Sequence, residues 1–183
     1  MRYTADQLPA LLDDMDSALL EMTAPFRRDA ALWTRPAGKW TAGQHAEHIA
    51  KTLALTAAEL GESERRMRTR ELPPVPWRGP LQALAVRLLT SEGFPRGGKA
   101  PPSVAPGGAP DAAAVLGAID EGGRRHRDLA NRLSAEERAR LWFRNPFVPL
   151  RWHYTLAEIV RVHATHTRHH MRIVNEGYPA PKG

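Results

Sequence analysis

The chain of 183 residues contains no cysteine. That excludes a disulfide framework and any thiolate metal site, so a metal bound here has only His, Asp, Glu and water as ligands. The absence agrees with a cytoplasmic location, where thiols stay reduced. No apolar run approaches the roughly 18 residues of a membrane span, and no membrane partner is expected. The opening stretch, MRYTADQLPALLDDMDSALL, sets acids inside its apolar pattern. A secretory leader has a basic start and an uninterrupted apolar stretch, so none is expected. Aromatic residues make up only 7% of the chain. They do not interleave with the densest basic runs, RRMRTR (65–70) and GGRRHR (122–127), as a base-stacking surface requires. The formal net charge is +6, but the arginines are scattered. Scattered surface charge fits this better than a nucleic-acid partner, and a basic surface that attracts small anionic substrates stays open. No convincing strand and no internal repeat can be read.

What is present is helical periodicity. Leu8, Leu11, Leu12, Met15, Leu19 and Met22 recur at three- and four-residue steps and predict a helix within 4–29. Pro9 is tolerated near its start, and Pro25 with the polar residues that follow it is expected to end it. Thr41 and Gln44 form a capping-box pattern that opens a second helix over about 42–68. ELPPVPW is a break, and WRGPLQALAVRLLTSEG holds a shorter amphipathic helix. The Pro- and Gly-rich stretch 93–110 is expected to be an exposed, mobile loop inside a single domain spanning 1–183. A third long helix follows within 110–134 with Asp111 as its cap, although Gly117, Gly122 and Gly123 weaken it. SAEERARLW is a short helix capped by Ser134 and Glu137, and FRNPFVPL is extended by its prolines. HYTLAEIVRVHATHTRHHMRIVNEG is a fourth long helix, capped by Thr155 and Glu158 and stopped by Gly177. Residues 178–183 form a loose tail. The fold class is all-α, a four-helix bundle with short extra helices.

The last helix carries HATHTRHHMRIV, half of the chain's eight histidines. On a helical wheel His163, His166 and His170 share the apolar stripe with Leu156, Ile159 and Val174. His169 sits at the stripe's edge, and Arg161, Arg168 and Arg172 take the opposite side. Burying imidazoles in an apolar stripe costs free energy unless each finds a partner. A metal is one such partner, and His166 and His170, spaced i,i+4, can grip a single ion. Core histidines bonded to backbone and acids are the competing reading. A third ligand must come from another helix, and HAEH (45–48) is the only other cluster. His45 lies about 60° nearer than His48 to the apolar centre around Ile49, Leu53 and Leu60, so periodicity leaves the choice open. His126 and His153 stand alone and are expected to face solvent.

KWTAGQHAEHIAKTL resembles the second-helix motif of the DinB/YfiT-like superfamily, which is unrelated to the DNA polymerase sharing that name. In that motif a Trp–Ser/Thr pair opens the helix and a metal-binding His lies eight residues after the Trp, here Trp40 and His48. HTRHH resembles the family's last-helix phrase, which puts its two ligands at His166 and His170. The resemblance covers the helix order and both motifs. It implies a four-helix bundle, often a homodimer, with a divalent metal at His48, His166 and His170. Zinc or nickel is the foremost choice and iron a further one. Family members include transferases that use low-molecular-weight thiols, a mycothiol-dependent isomerase and uncharacterised proteins taken for hydrolases. The chain departs from the family at Ile173, where many members carry Gln.

Three neutral imidazoles leave coordination positions open, which marks a catalytic rather than a structural metal site. A divalent ion lowers the pKa of water or of a substrate thiol toward neutrality. The expected chemistry is therefore transfer of a low-molecular-weight thiol to an electrophile, or hydrolysis, with a small molecule as substrate. His45, His163 and His169 are candidates for proton transfer or for contacts that fix the ligand tautomers. Glu47 reads as solvent-facing, and Trp40 as packing more than pocket. No dedicated nucleophile is present, which also fits a non-catalytic metal-binding module of a stress response. No exposed apolar stripe can be assigned to a dimer.

Overall fold

The computed structural model describes residues 3–91, 99–147 and 152–176. Its long helices are α1 (Leu8–Arg28), α2 (Ala42–Arg68), α4 (Ala112–Arg132) and α6 (Leu156–Glu176), with α3 (Pro80–Leu89) and α5 (Ala135–Arg140) as short additions. The class is all-α, as expected. Residues 93–98, Gly177 and the tail 178–183, on which expectations were also placed, lie outside the described residues.

In α1 five of the six residues read from the sequence, Leu8, Leu12, Met15, Leu19 and Met22, are buried, joined by Phe26, while Leu11 is half-buried. The helix runs three residues past Pro25 and ends among the polar residues that follow it, inside the expected span, and the Asp29 N–H closes its last turn on the Pro25 carbonyl at 3.0 Å. Proline forfeits only its own backbone bond, and the burial of Phe26 carries the turn beyond it. Thr41, Asp111 and Ser134 cap α2, α4 and α5 as their spacing predicts.

The glycines of α4 allow close packing. A Cβ on Gly122 would lie 2.6 Å from Leu53 Cβ, and one on Gly123 would lie 2.8 Å from Leu19 Cδ1. The local loss of helix propensity is therefore exchanged for close approach to α2 and α1. Gly117 has open space around it. The scattered arginines latch the bundle from outside. Arg161 and Arg168 of α6 share Asp14 of α1 at 2.5 and 2.7 Å. Arg127 of α4 reaches Asp13 and Asp16, and Arg132 reaches Glu64.

Two short antiparallel pairs were not expected: β1 (Pro36–Ala37) with β2 (Trp40–Thr41), and β3 (Trp142–Arg144) with β4 (His153–Thr155). Strands of two or three residues are too short to show a period of two. Gly38, at φ 74, makes the first turn. The second pair delivers the chain to α6, where the Thr155 N–H donates to Glu158 Oε2 at 3.0 Å and the Glu158 N–H to Thr155 Oγ1 at 3.4 Å. Arg78 grips the same carboxylate through two bonds of 2.5 and 2.7 Å. Burial alone pushes the Glu158 carboxyl up; the Arg78 guanidinium and the Thr155 N–H outweigh it and hold the group below its usual range.

Both isolated histidines are buried, correcting the expectation that they face solvent. His153 packs on the Trp142 ring and takes a contact from Gln82 Nε2 at 3.2 Å. His126 is fully enclosed. Its Nδ1–H donates to the Gly122 carbonyl at 2.8 Å, its Nε2 meets the Thr56 hydroxyl at 3.2 Å, and His163 Nε2 meets the same hydroxyl at 2.8 Å. Thr56 Oγ1 also reaches the Thr52 carbonyl at 2.9 Å, so its single hydrogen is shared between that carbonyl and His126, while His163 donates its Nε2–H to Thr56. The sequence does hold this signal: Ile119, Gly122, Gly123, His126, Leu129 and Ala130 form one buried stripe of α4. On α3, Trp77 at the entry, Leu81, Leu84 and Leu88 are exposed, while Gln82 and Val86 face the bundle. An exposed apolar stripe thus exists where none was assigned. Among the described residues no helix is long and apolar enough to cross a membrane.

Substituting Ala at the two kinds of α4 glycine should give opposite signs. Gly122→Ala is expected to destabilise by about 1–3 kcal/mol through overpacking. Gly117→Ala should stabilise by up to about 1 kcal/mol through helix propensity. Urea unfolding of both variants checks this, and a stabilised Gly122→Ala would contradict the close approach.

Burial lowers the pKa of His126, and lowers that of His163 well below the ordinary value of 6.5, with the neighbouring imidazoles adding to the latter. Below the ordinary value the unfolded chain takes up protons that the folded chain refuses, so stability is present above it and is lost as pH falls. The thermal midpoint of chelator-treated protein should fall between about pH 7.5 and 5.5, less steeply in His126→Gln. A midpoint flat across that window would contradict burial of neutral imidazoles.

Candidate metal centre

The Thr41–Gln44 capping box starts α2 so that its first turns carry His45 and His48 against α6, which carries His166, His169 and His170. His48 Nε2 lies 3.3 Å from His166 Nε2, and His170 Nε2 lies 3.0 Å from the same atom. The ligand atoms of all three lie within 4.8 Å of one another. His48 and His170 are buried and His166 is half-buried.

The hydrogen bonds behind these rings decide where their protons sit. A carbonyl can only accept, so His48 Nδ1–H donates to the Val104 carbonyl at 2.7 Å, leaving a lone pair on its Nε2. His45 Nε2–H donates to the Ala37 carbonyl at 2.9 Å. Its Nδ1 is then the acceptor for His170 Nδ1–H at 2.7 Å, leaving a lone pair on His170 Nε2. Burial pushes His45, His48, His166 and His170 below the ordinary imidazole range, the last two strongly. All four are therefore neutral at pH 7. Two bare nitrogens, His48 Nε2 and His170 Nε2, gathered beside the neutral His166 ring fit a divalent cation. Tetrahedral ligation at about 2.0–2.1 Å separates ligand nitrogens by about 3.3 Å, close to the spacings here. His45 stands behind His170 as its acceptor and does not turn a nitrogen into the cluster. The wheel could not separate His45 from His48 because both are buried, each for a different partner.

Trp40 does border this site. Its ring centre lies 5.1 Å from His45 and 5.2 Å from His48, and it stacks on His170 at 6.1 Å with a 14° interplanar angle. Glu47 does not simply face solvent. It accepts the Gly107 N–H at 3.0 Å and pairs with Lys51 at 2.7 Å. Lys51 Nζ donates to the Ala105 carbonyl at 2.9 Å, and Gln44 Nε2 donates to the carbonyls of Gly107 and Gly108 at 3.0 and 3.2 Å. Residues 99–110 are thus strapped along α2, not a free loop, and Val104 orients a candidate ligand from within the strap. Composition hid this. The signal that could have found it is the polar set Gln44, Glu47, His48 and Lys51, which shares one helical face at i, i+3, i+4 and i+7.

A cavity of about 390 Å³ is lined by the three converging histidines together with Trp40, His45, His163 and His169. Leu89, Pro101, Val104, Phe147, Ile159 and Val162 supply apolar wall. His163 shares the stripe predicted for it, but its Nε2 bonds to Thr56 and not to the cluster. His169 is buried at the cavity wall, its ring 5.4 Å from that of His170. Ile173 lines the same cavity as an apolar group.

Neither the curated proteins nor the solved structures contain a match to this chain. The family model of the DinB superfamily matches residues 11–174. That stretch takes in all of α2 and α4, nearly all of α1 and α6, and each converging histidine. The chain belongs to the DinB superfamily.

Proposed function

We propose that His48, His166 and His170 hold one divalent ion, zinc or nickel foremost and iron next, in an enzyme that acts on a small molecule. The observation that carries this reading is the pair of backbone carbonyls, Val104 directly and Ala37 through His45, that leave lone pairs converging on one point. Bound there, the ion supplies a Lewis acid that brings water or a thiol toward ionisation at neutral pH. The reaction is transfer of a low-molecular-weight thiol to an electrophile, or hydrolysis of an ester or amide. A cavity of about 390 Å³ falls in the size range of small-molecule sites, which supports turnover over a purely metal-binding module. Three protein ligands leave positions free for water or substrate. The chain's own residues do the rest. Trp40 stacks on His170 and limits its tilt. The apolar wall excludes bulk water from the reacting groups. His169, at that wall, is the candidate acceptor of a proton released from water or thiol.

Elemental analysis tests the metal. Wild-type protein should retain one ion per chain, and His48→Ala and His166→Ala should lose it. His45→Ala should keep the site with affinity reduced by about 10–100-fold, since it removes only an orienting partner. Protein without stoichiometric metal, even after reconstitution with zinc and nickel, would overturn the site.

Turnover is tested on the metal-loaded protein with a panel of thiols plus electrophiles and a panel of esters. Chelator-sensitive consumption is expected in one panel. Silence in both, with metal in place, would contradict the enzyme reading and leave the metal-binding module.

A further inference from the structure

The chain has only four lysines, Lys39, Lys51, Lys99 and Lys182; the last lies outside the described residues. The bundle's cross-helix latches are all arginines, as described above. Of the three described lysines, two line the cavity. Lys51 fastens the strap to α2. Lys39 and Lys99 line the cavity itself, are exposed, and have no ion pair or hydrogen bond among the described residues. They come from two separate segments, the β1–β2 turn and the start of the strap. Each lies a few residues from a carbonyl that orients the histidines, Ala37 and Val104 respectively.

The rest of the lining sharpens the contrast. Among the described residues it contains no Asp and no Glu. The walls are otherwise chiefly apolar. The cavity therefore offers an apolar body with positive charge of one sign at two points and nothing negative to neutralise it. Low-dielectric walls around charge of one sign focus the field and draw in the opposite charge. We infer that the cavity takes an organic anion: a small molecule with an apolar body in the cavity and an anionic group held by Lys39 and Lys99. This deepens the proposed function, on which it rests for the reaction, by naming the substrate class. The binding step itself needs only this chain's residues.

The probe set is 4-phenylbutanoate and its neutral analogue 4-phenylbutanamide, which share one apolar body. Calorimetric titration of chelator-treated protein should show the anion binding about three- to tenfold more tightly than the amide, the scale of two solvent-exposed charge contacts. The preference should shrink in high salt. It should vanish in the Lys39→Gln/Lys99→Gln double variant while the amide affinity stays unchanged, which shows that the cavity is intact. Equal affinities in wild type, a preference that survives the double variant, or no saturable binding of either probe would overturn the inference. Metal content is read on the same wild-type preparation before chelation. Stoichiometric metal without anion preference sinks the substrate class alone; anion preference without metal sinks the metal reading alone.

Discussion

The constraint on which the site depends is that a backbone carbonyl cannot donate a proton. Ala37 and Val104 each present a carbonyl to an imidazole, and everything beyond follows by alternation. His45 must point its N–H at Ala37, so it accepts from His170, and His170 must then present a bare nitrogen. His48 presents a bare nitrogen because its proton goes to Val104. A buried polar group without a partner costs about 1–3 kcal/mol. Here the outer nitrogens are satisfied by the fold itself, and the inner ones are left as a donor set. The histidines are thus both part of the core and poised for a cation.

The remaining architecture keeps those two carbonyls in place. The β1–β2 turn holds Ala37 and delivers Trp40 and the cap of α2 in one short stretch. The strap holds Val104 through side chains of the same α2 turns that carry His48. Gly122 lets α4 come close to α2, and Thr56 on that helix links His126 to His163. The arginine latches on Asp14 fasten α6 to α1. Each latch is partly exposed and contributes modestly alone, but together they resist sliding of the helix that carries His166 and His170.

Much of this was legible in the sequence. The long helices, the capping boxes and the inward placement of His163, His166 and His170 follow from spacing alone, because a 3.6-residue period is unmistakable over five or six turns. Trp40 and His48 were legible only through the family's motif. The wheel left His45 and His48 both open, and His45 is indeed buried, but as a hydrogen-bond partner of His170. The paired β segments were invisible because two or three residues carry no period. His126 and His153 were misjudged as isolated when each completes a buried stripe or packs beneath a neighbouring element. The strap was misjudged because proline and glycine report on backbone freedom and say nothing of side chains elsewhere that bind the segment.

The most direct test of the central claim is the tautomeric state of the rings. Nitrogen-15 labelled histidine, read by long-range proton–nitrogen correlation NMR in chelator-treated protein at neutral pH, distinguishes Nδ1–H from Nε2–H for each residue. The account predicts Nδ1–H for His48 and His170 and Nε2–H for His45, with the bare Nε2 signals of His48 and His170 moving on addition of zinc. Nε2–H tautomers at His48 and His170, or Nε2 signals indifferent to zinc, would contradict it.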